Sequence, residues 1–522
     1  VPISRRPPTI GEGVKPHSSI QASSATRSTP TAVPPATRSA PAEPEADPLA
    51  SNHALQAWIL ASILLVAFCL RILHLGSWSY WVDEAWTIID ARTLTLTSKS
   101  YPLFYALERA TFDLLGISHT TARLVPALVG AASCVALFPW FRRFSGLPGA
   151  WVGLLMLAVS PWHIYWSQTA RYYVVLLLFQ TAALYFLYVG ILDDRPRRTV
   201  LAALLALTAF FIHFSAATFV GVAAAFLFYW TGRKRTVRQM RPRHLIPLVA
   251  LLLVFGGFFL FWLIPRLQRN PWGDNPLELL AKLVFFLTPG VAALALVGLV
   301  LAWREDRNKA VFLALSAGVP FLFVVLLSPL KDANTRYLFA TLPSYLALAA
   351  IPITALWRHL QGSRLLLVGA VVMALIAPSL QEDYVYFTSG HGNREPWHDA
   401  LSFVRSRLGE GERVLAMNRA LKFYMIGPER ATRAQMARPK IEVRELEEGG
   451  PVWILVRRRV VVESLRQATG GKVGGKEPPA NRIVDRWLPA HAALIREFPA
   501  EFGLKDRTVQ IYYYRPPGKP PT

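Results

Sequence analysis

The chain is 522 residues long, 53% hydrophobic and 17% charged, and apolar blocks of roughly 20 residues recur along most of it. This is the composition of a polytopic membrane protein, and it excludes a soluble multidomain enzyme. A net charge of +23 would suggest a nucleic-acid partner in a soluble chain, but here much of the Lys and Arg lies in short loops between apolar blocks, where it orients a membrane protein.

In chain order, residues 1–50 come first, rich in Pro, Ala, Ser and Thr with almost no large apolar side chains. Such a segment cannot bury enough surface to offset its chain entropy, so a disordered cytoplasmic tail is expected. No charged n-region with a short apolar stretch and cleavage site precedes the first apolar block, which is therefore expected to be a retained anchor. The blocks then run over 54–75, 122–141, 147–165, 172–191, 199–213, 215–230, 245–264, 279–302, 310–328, 337–356 and 363–380. They predict an α-helical polytopic fold of about 11 transmembrane helices. The stretch from Thr199 to Trp230 is too short for two full crossings and too long for one. Two short helices turning near His213 keep the basic run "TGRKRTVRQMRPRH" on the inner side. Cys69 and Cys134 both fall inside apolar blocks, so no disulfide framework or CxxC spacing is present.

With the tail inside, the inner loops hold 16 Lys or Arg and the outer loops eight. This bias places the N-terminus in the cytoplasm and everything after Leu380 outside. Residues 51–380 are then the transmembrane domain, and 381–522, charged and less apolar, form a soluble α/β domain. Its signals are the helical "PWHDALSFVRSRLGEG" and the strand-like "RVLAMN", "PVWILV" and "VQIYYY".

Four polar clusters far apart in sequence end on the same outer face. Asp83 and Glu84 follow the first block in "WSYWVDEAWTIIDAR", Arg123 opens the second, "SPWHIYWSQTARYY" spans 160–173, and "KDANTRY" spans 331–337. Carboxylates opposite arginines at an aromatic membrane surface suit an anionic lipid headgroup, which Arg binds by charge-assisted and often bidentate hydrogen bonds. The candidate substrate-binding residues are Arg123, His163, Gln168, Arg171, Tyr172, His213, Arg336 and Tyr337, and the candidate catalytic residues are Asp83 and Glu84. Taken singly, each has a plainer role: the acids could cap a helix, and the arginines could reach to headgroups. No tight ligand spacing calls for a metal, although Asp83, Glu84 and His213 could offer donors to a divalent ion.

The chain resembles the polytopic glycosyltransferases of the GT-C fold, in particular the bacterial branch similar to protein mannosyltransferases and aminoarabinose transferases. The resemblance extends over most of 54–430 and rests on "WVDEAWTIIDAR", "YPLFYAL" at 101–107, "TARLVPALVGA" at 121–131, "SPWHIYWSQTARYYVVLLL" at 160–178 and "TRYLFATLPSYLAL" at 335–348, in that order. It implies an enzyme of the bacterial cytoplasmic membrane that takes a sugar from a polyprenyl-phosphate donor at the outer face. The acceptor would be a lipid, glycan or protein, and Asp83 would occupy the position of the family's acidic residue in the first outer loop. Many relatives read "PPLYY" where this chain has "YPLFY". Two rival classes are a transporter or flippase of lipid-linked sugars and a non-catalytic assembly factor. A carrier usually places ionisable residues near the bilayer midplane, and the span centres here lack Asp, Glu, Lys and Arg.

Overall fold

The structure is a computed structural model, and it describes residues 52–94, 102–234, 242–266, 276–330, 334–359, 364–436, 443–458, 487–502 and 505–517. The expected tail, part of the basic run at 231–244 and Lys331 lie outside the described residues. Asn52–Thr522 makes up one compact unit.

The helices, in chain order, are α1 (His53–Ile72), α2 (Val82–Thr93), α3 (Pro102–Leu115), α4 (Thr121–Ala136), α5 (Phe138–Ala158), α6 (Pro161–Ser167), α7 (Tyr173–Leu192), α8 (Pro196–Ile212), α9 (Thr218–Lys234), α10 (Pro242–Phe258), α11 (Pro276–Leu287), α12 (Pro289–Glu305), α13 (Arg307–Leu327), α14 (Leu342–His359) and α15 (Arg364–Phe387). Proline opens α3, α6, α8, α10, α11 and α12. At the first helical position its missing N–H costs nothing and its fixed φ is already helical. Asn52 and Asp306 cap α1 and α13 by accepting from Leu55 N at 2.9 Å and Asn308 N at 2.9 Å.

All eleven apolar blocks lie on helices. Among the described residues, seven helices are individually long and apolar enough to cross a membrane, or nine if each of two bent pairs counts as one span. The difference from eleven has local causes. The 199–213 block is a helix of only 17 residues. The blocks at 122–141 and 147–165 fall on α4 and α5, which meet at 41°, with a further turn at Gly146, whose φ of 76° suits glycine. The 279–302 block is broken at Thr288, where α11 and α12 meet at 97°. The turn at His213, between α8 and a 3-10 segment leading into α9, falls where the charge argument put it.

Two segments form the centre of the bundle: Tyr173–Leu192 is 72% buried and Thr335–Arg358 83% buried, against 22% for His53–Ile72. Peripheral helices present Phe228, Phe261, Leu326 and Leu366 outward. In water that surface would be a liability, whereas in hydrocarbon it is the required solvent-facing side.

The loops sort into two ends. At one, Arg143 and Arg198 pair with Asp193 at 3.8 and 2.7 Å, and His244 lies 3.0 Å from Asp194. These are the loops assigned to the inner side. At the other end the segments around Asp83, Arg123, Ala170, Arg336 and Arg394 meet, described below.

Beyond α15 come α16 (Trp397–Arg405), β1 (Arg413–Ala416), α17 (Arg419–Ile426), α18 (Val443–Glu448), β2 (Val452–Arg457), α19 (Leu488–His491), β3 (Ala493–Phe498), β4 (Glu501–Phe502), β5 (Lys505–Asp506) and β6 (Val509–Tyr514). The main sheet has the order β1-β2-β6-β3, with β1 parallel to β2 and the other pairs antiparallel. The three sequence-predicted strands are β1, β2 and β6, and the β2 interior reads buried from Val452 to Val456. The sheet gains a fourth strand in β3, whose side chains at 493–496 are exposed. It therefore lacks the alternation that marks a half-buried strand.

Candidate active site

Helix α2 decides the fates of the two adjacent acids. An α-helix turns by 100° per residue, so neighbours cannot share a face. Glu84 turns inward and is fully buried. Its carboxylate takes a two-point pair from Arg123, Nε to Oε1 at 2.8 Å and Nη2 to Oε2 at 3.0 Å. Arg394 Nε lies 3.4 Å away, and the backbone N–H groups of Ala170 and Trp81 donate at 2.9 and 3.2 Å. Burial alone would raise the Glu84 pKa, but Arg123 and Arg394 outweigh it and pull the group down to about 2. Arg123 spends its remaining donors on the carbonyls of Leu75, Trp78 and Ser79. Glu84 and Arg123 thus form a closed lattice behind the site, with no donor or lone-pair direction left for a substrate.

Asp83 turns outward. Its Oδ2 accepts from Arg336 Nη1 at 2.9 Å, and both side chains are 23% exposed. Arg171 lies beside the pair, its Nη1 donating to the Asp83 carbonyl at 3.2 Å and to Thr87 Oγ1 at 3.1 Å. Its Nη2 donates to the Tyr172 hydroxyl at 3.1 Å, and that hydroxyl donates to the Tyr173 hydroxyl at 3.3 Å. The guanidinium of Arg171 lies 4.7 Å from the Tyr172 ring centroid, and that of Arg336 lies 5.3 Å from the Tyr337 ring. His213 stacks on Tyr172 at 4.4 Å and faces Tyr337 at 6.0 Å. Among the described residues, the buried Nε atoms of Arg171 and Arg336 have no hydrogen-bond partner. Buried donors in folded proteins are nearly always paired. The two central segments of the bundle supply these residues at their starts, which puts the cluster at the end of the most buried part of the molecule.

Of the sequence candidates, Asp83, Arg171, Tyr172, His213, Arg336 and Tyr337 therefore come together. His163 and Gln168 do not join them. His163 is buried, with Arg71 Nη2 at 2.9 Å from Nδ1 and Ser133 Oγ at 3.1 Å from Nε2. Gln168 donates to the carbonyls of Leu70, Arg71 and Leu73 at the end of α1, and its Oε1 accepts from the Tyr386 hydroxyl at 2.9 Å. Both tie α1 to its neighbours. Among the described residues, no group of three or more His, Cys, Asp or Glu is placed to hold a metal ion, so Asp83, Glu84 and His213 do not converge as ligands.

Sequence reasoning missed Arg394, which is fully buried and joins Glu84 to the Gln168 carbonyl and Thr169 Oγ1, each at 2.7 Å. It missed Tyr105 and Asp90 as well, whose hydroxyl and carboxylate meet at 3.1 Å. The one available signal was an arginine flanked by helix-breaking residues in "GHGNREPW".

This architecture defines a class. Residues 98–262 match the family described as dolichyl-phosphate-mannose-protein mannosyltransferase. The fold is similar to that of ArnT from Cupriavidus metallidurans bound to undecaprenyl phosphate, at 14% identity over 88% of this chain and 98% of that one, with a TM-score of 0.55. The apo state of the same protein gives 15% identity over the same shares and a TM-score of 0.52. The oligosaccharyltransferase of Archaeoglobus fulgidus in its apo form gives 11% identity over 74% of this chain and 65% of that one, with a TM-score of 0.52. No curated protein matches the chain. The chain is a multi-span membrane protein with a GT-C-like fold, as its sequence resemblance implied.

Proposed function

We propose that this chain is an inverting glycosyltransferase that moves a sugar from a polyprenyl-phosphate donor to a lipid, glycan or protein acceptor at the outer face of the cytoplasmic membrane. The observation that carries the reading is a partly exposed carboxylate, Asp83, paired with Arg336 and beside Arg171, two guanidinium groups whose Nε atoms have no partner among the described residues. A phosphate oxygen satisfies both arginines by charge-assisted hydrogen bonds. The structurally similar ArnT was solved with undecaprenyl phosphate, and that lipid is the donor carrier we assign here.

In the reaction, the acceptor hydroxyl oxygen attacks C1 of the sugar and the bond from C1 to the phosphate oxygen breaks. The electron pair leaves on the phosphate, whose growing charge Arg171 and Arg336 stabilise from fixed positions. Asp83, whose carboxylate is partly exposed beside Arg336, takes the hydroxyl proton as the bond to C1 forms. Arg336, anchored beside Tyr337, reaches the phosphate from its place next to Asp83, so that the same guanidinium orders both the base and the leaving group. A single displacement inverts C1. The N-terminus lies in the cytoplasm, and the 381–522 portion is an outer domain above the site.

Mass spectrometry of lipid, glycan and protein fractions from cells with and without the gene tests this reading. A sugar increment that disappears with the gene, together with accumulation of its lipid-phosphate donor, is expected and names both substrates. Unchanged fractions in all three classes contradict it.

A further inference from the structure

Helix α2 carries Asp83 in its first turn, and the C-terminal part of the chain grips that helix at both ends. At the entry, the Tyr424 hydroxyl accepts from Tyr80 N at 2.5 Å, and His398 N donates to Ser79 Oγ at 3.0 Å. At the exit, Arg92 donates to the carbonyls of Pro428 and Ala431 at 3.0 and 2.5 Å. Between these contacts stands an ion pair that the chemistry above does not use. Asp90 is 1% exposed, and its carboxylate meets Arg433 at two points, Nε to Oδ1 at 2.5 Å and Nη2 to Oδ2. Arg433 also lies 5.3 Å over the Trp86 ring.

Asp90 follows Asp83 by seven residues, about two turns, so the two share a face of α2, with Thr87 between them. Asp90 also holds the Tyr105 hydroxyl, at 3.1 Å from Oδ2. Thr87 accepts from Arg171 on the same face. With Asp90 buried and Arg433 about a third exposed, the pair is half-buried, and the best-attested use of such an ion pair is to fix registry rather than to add stability. Here it fixes the rotation and tilt of the helix that presents the base.

We propose that Asp90 is a positioning residue: paired with Arg433, it sets the orientation of α2 and so the place of Asp83 relative to Arg171 and Arg336. The segment carrying Arg433 is thereby part of the catalytic apparatus without touching substrate. The inference rests on the reading of Asp83 as the base.

The test uses the full chain in proteoliposomes, with undecaprenyl phosphate as the binding probe. Transfer is measured from synthetic undecaprenyl-phosphate mannose, glucose, galactose and aminoarabinose in turn, onto host membrane extract. A misplacement of about 1 Å costs up to about 10²-fold in rate. Arg433→Gln and Asp90→Asn are each expected to lower kcat per folded protein by about 10- to 100-fold while leaving the Kd for undecaprenyl phosphate within about twofold. The double variant should be no worse than the poorer single one, and Arg433→Lys should recover part of the loss. If Asp90→Asn fails to fold, Arg433→Gln and Tyr105→Phe, which keep the carboxylate, decide the matter. Wild-type kcat in Arg433→Gln, losses that multiply in the double variant, or an effect confined to Kd overturns the inference. Failure of the wild type to bind undecaprenyl phosphate or use any of the donors instead overturns the functional reading on which it rests.

Discussion

The two adjacent acids of α2 have opposite environments, and substitutions should separate them. Glu84 is held by Arg123, Arg394 and two backbone N–H groups. Glu84→Gln removes the charge that both buried arginines need, and breaking such a lattice from one side costs about 3–5 kcal/mol. The expected result is poor folding and low membrane yield, read by fluorescence-detected size exclusion. The pH dependence follows in sign. A carboxyl held near 2 in the folded chain, below its ordinary 4.5, contributes stability that is fully present above 4.5. That contribution, about 3 kcal/mol, is lost as pH falls from 4.5 toward 2. Thermal unfolding of the purified protein should show the loss in that window, and Arg394→Gln should shrink it. Arg171→Ala and Arg336→Ala should weaken undecaprenyl phosphate binding by about 1.5–3 kcal/mol each, measured by titration on folded protein. Wild-type affinity in both variants would put the phosphate elsewhere.

At the scale of elements, the sequence told where helices begin and turn but not which side chains meet across them. The short 199–230 stretch and the apolar blocks are local signals; the turn falls at His213 as expected and the blocks lie on helices, but the 279–302 block is broken at Thr288. Arg394 to Glu84 and Arg433 to Asp90 are pairs separated by more than 300 residues, and no spacing rule reaches that far. Packing between helices is equally invisible to hydropathy. A β-carbon at Gly298 on α12 would sit inside contact distance of the Leu348 carbonyl oxygen on α14, whereas one at Gly369 would meet nothing within 4 Å. Small residues permit such close approach where lipid supplies no hydrophobic drive between helices. Gly298→Ala should therefore lower stability by about 1–3 kcal/mol, with Gly369→Ala as the near-neutral control in the same thermal assay.

At the scale of the whole molecule, loop alternation was legible because charge asymmetry is a property of the full chain. The loops assigned to one side pair with one another through Arg143, Arg198, Asp193 and His244. Asp83, Arg123, Arg171, Arg336 and Arg394 gather at the opposite end. Cysteines introduced at 142–145 and 231–234, after removal of exposed Cys69 and buried Cys134, should react with impermeant reagent only in opened cells. Cysteines at 407–411 should react in intact ones. The reverse pattern would turn the protein over and place the site in the cytoplasm. The gathering of Asp83, Arg171 and Arg336 was foreseeable from the side each occupies. The retreat of Glu84, Arg123, His163 and Gln168 into the interior was not, because each is buried by partners far off in sequence: Arg123 and Arg394 for Glu84, Arg71 for His163, and the end of α1 with Tyr386 for Gln168.

In the proposed mechanism Asp83 is the base. Asp83→Asn preserves size and the local helix start, since the capping contact to Trp81 N comes from Glu84, and it removes only the carboxylate that accepts the proton. Turnover per folded protein should fall by about 10²- to 10⁴-fold while undecaprenyl phosphate still binds. Near wild-type sugar transfer by folded Asp83→Asn would exclude Asp83 as the base.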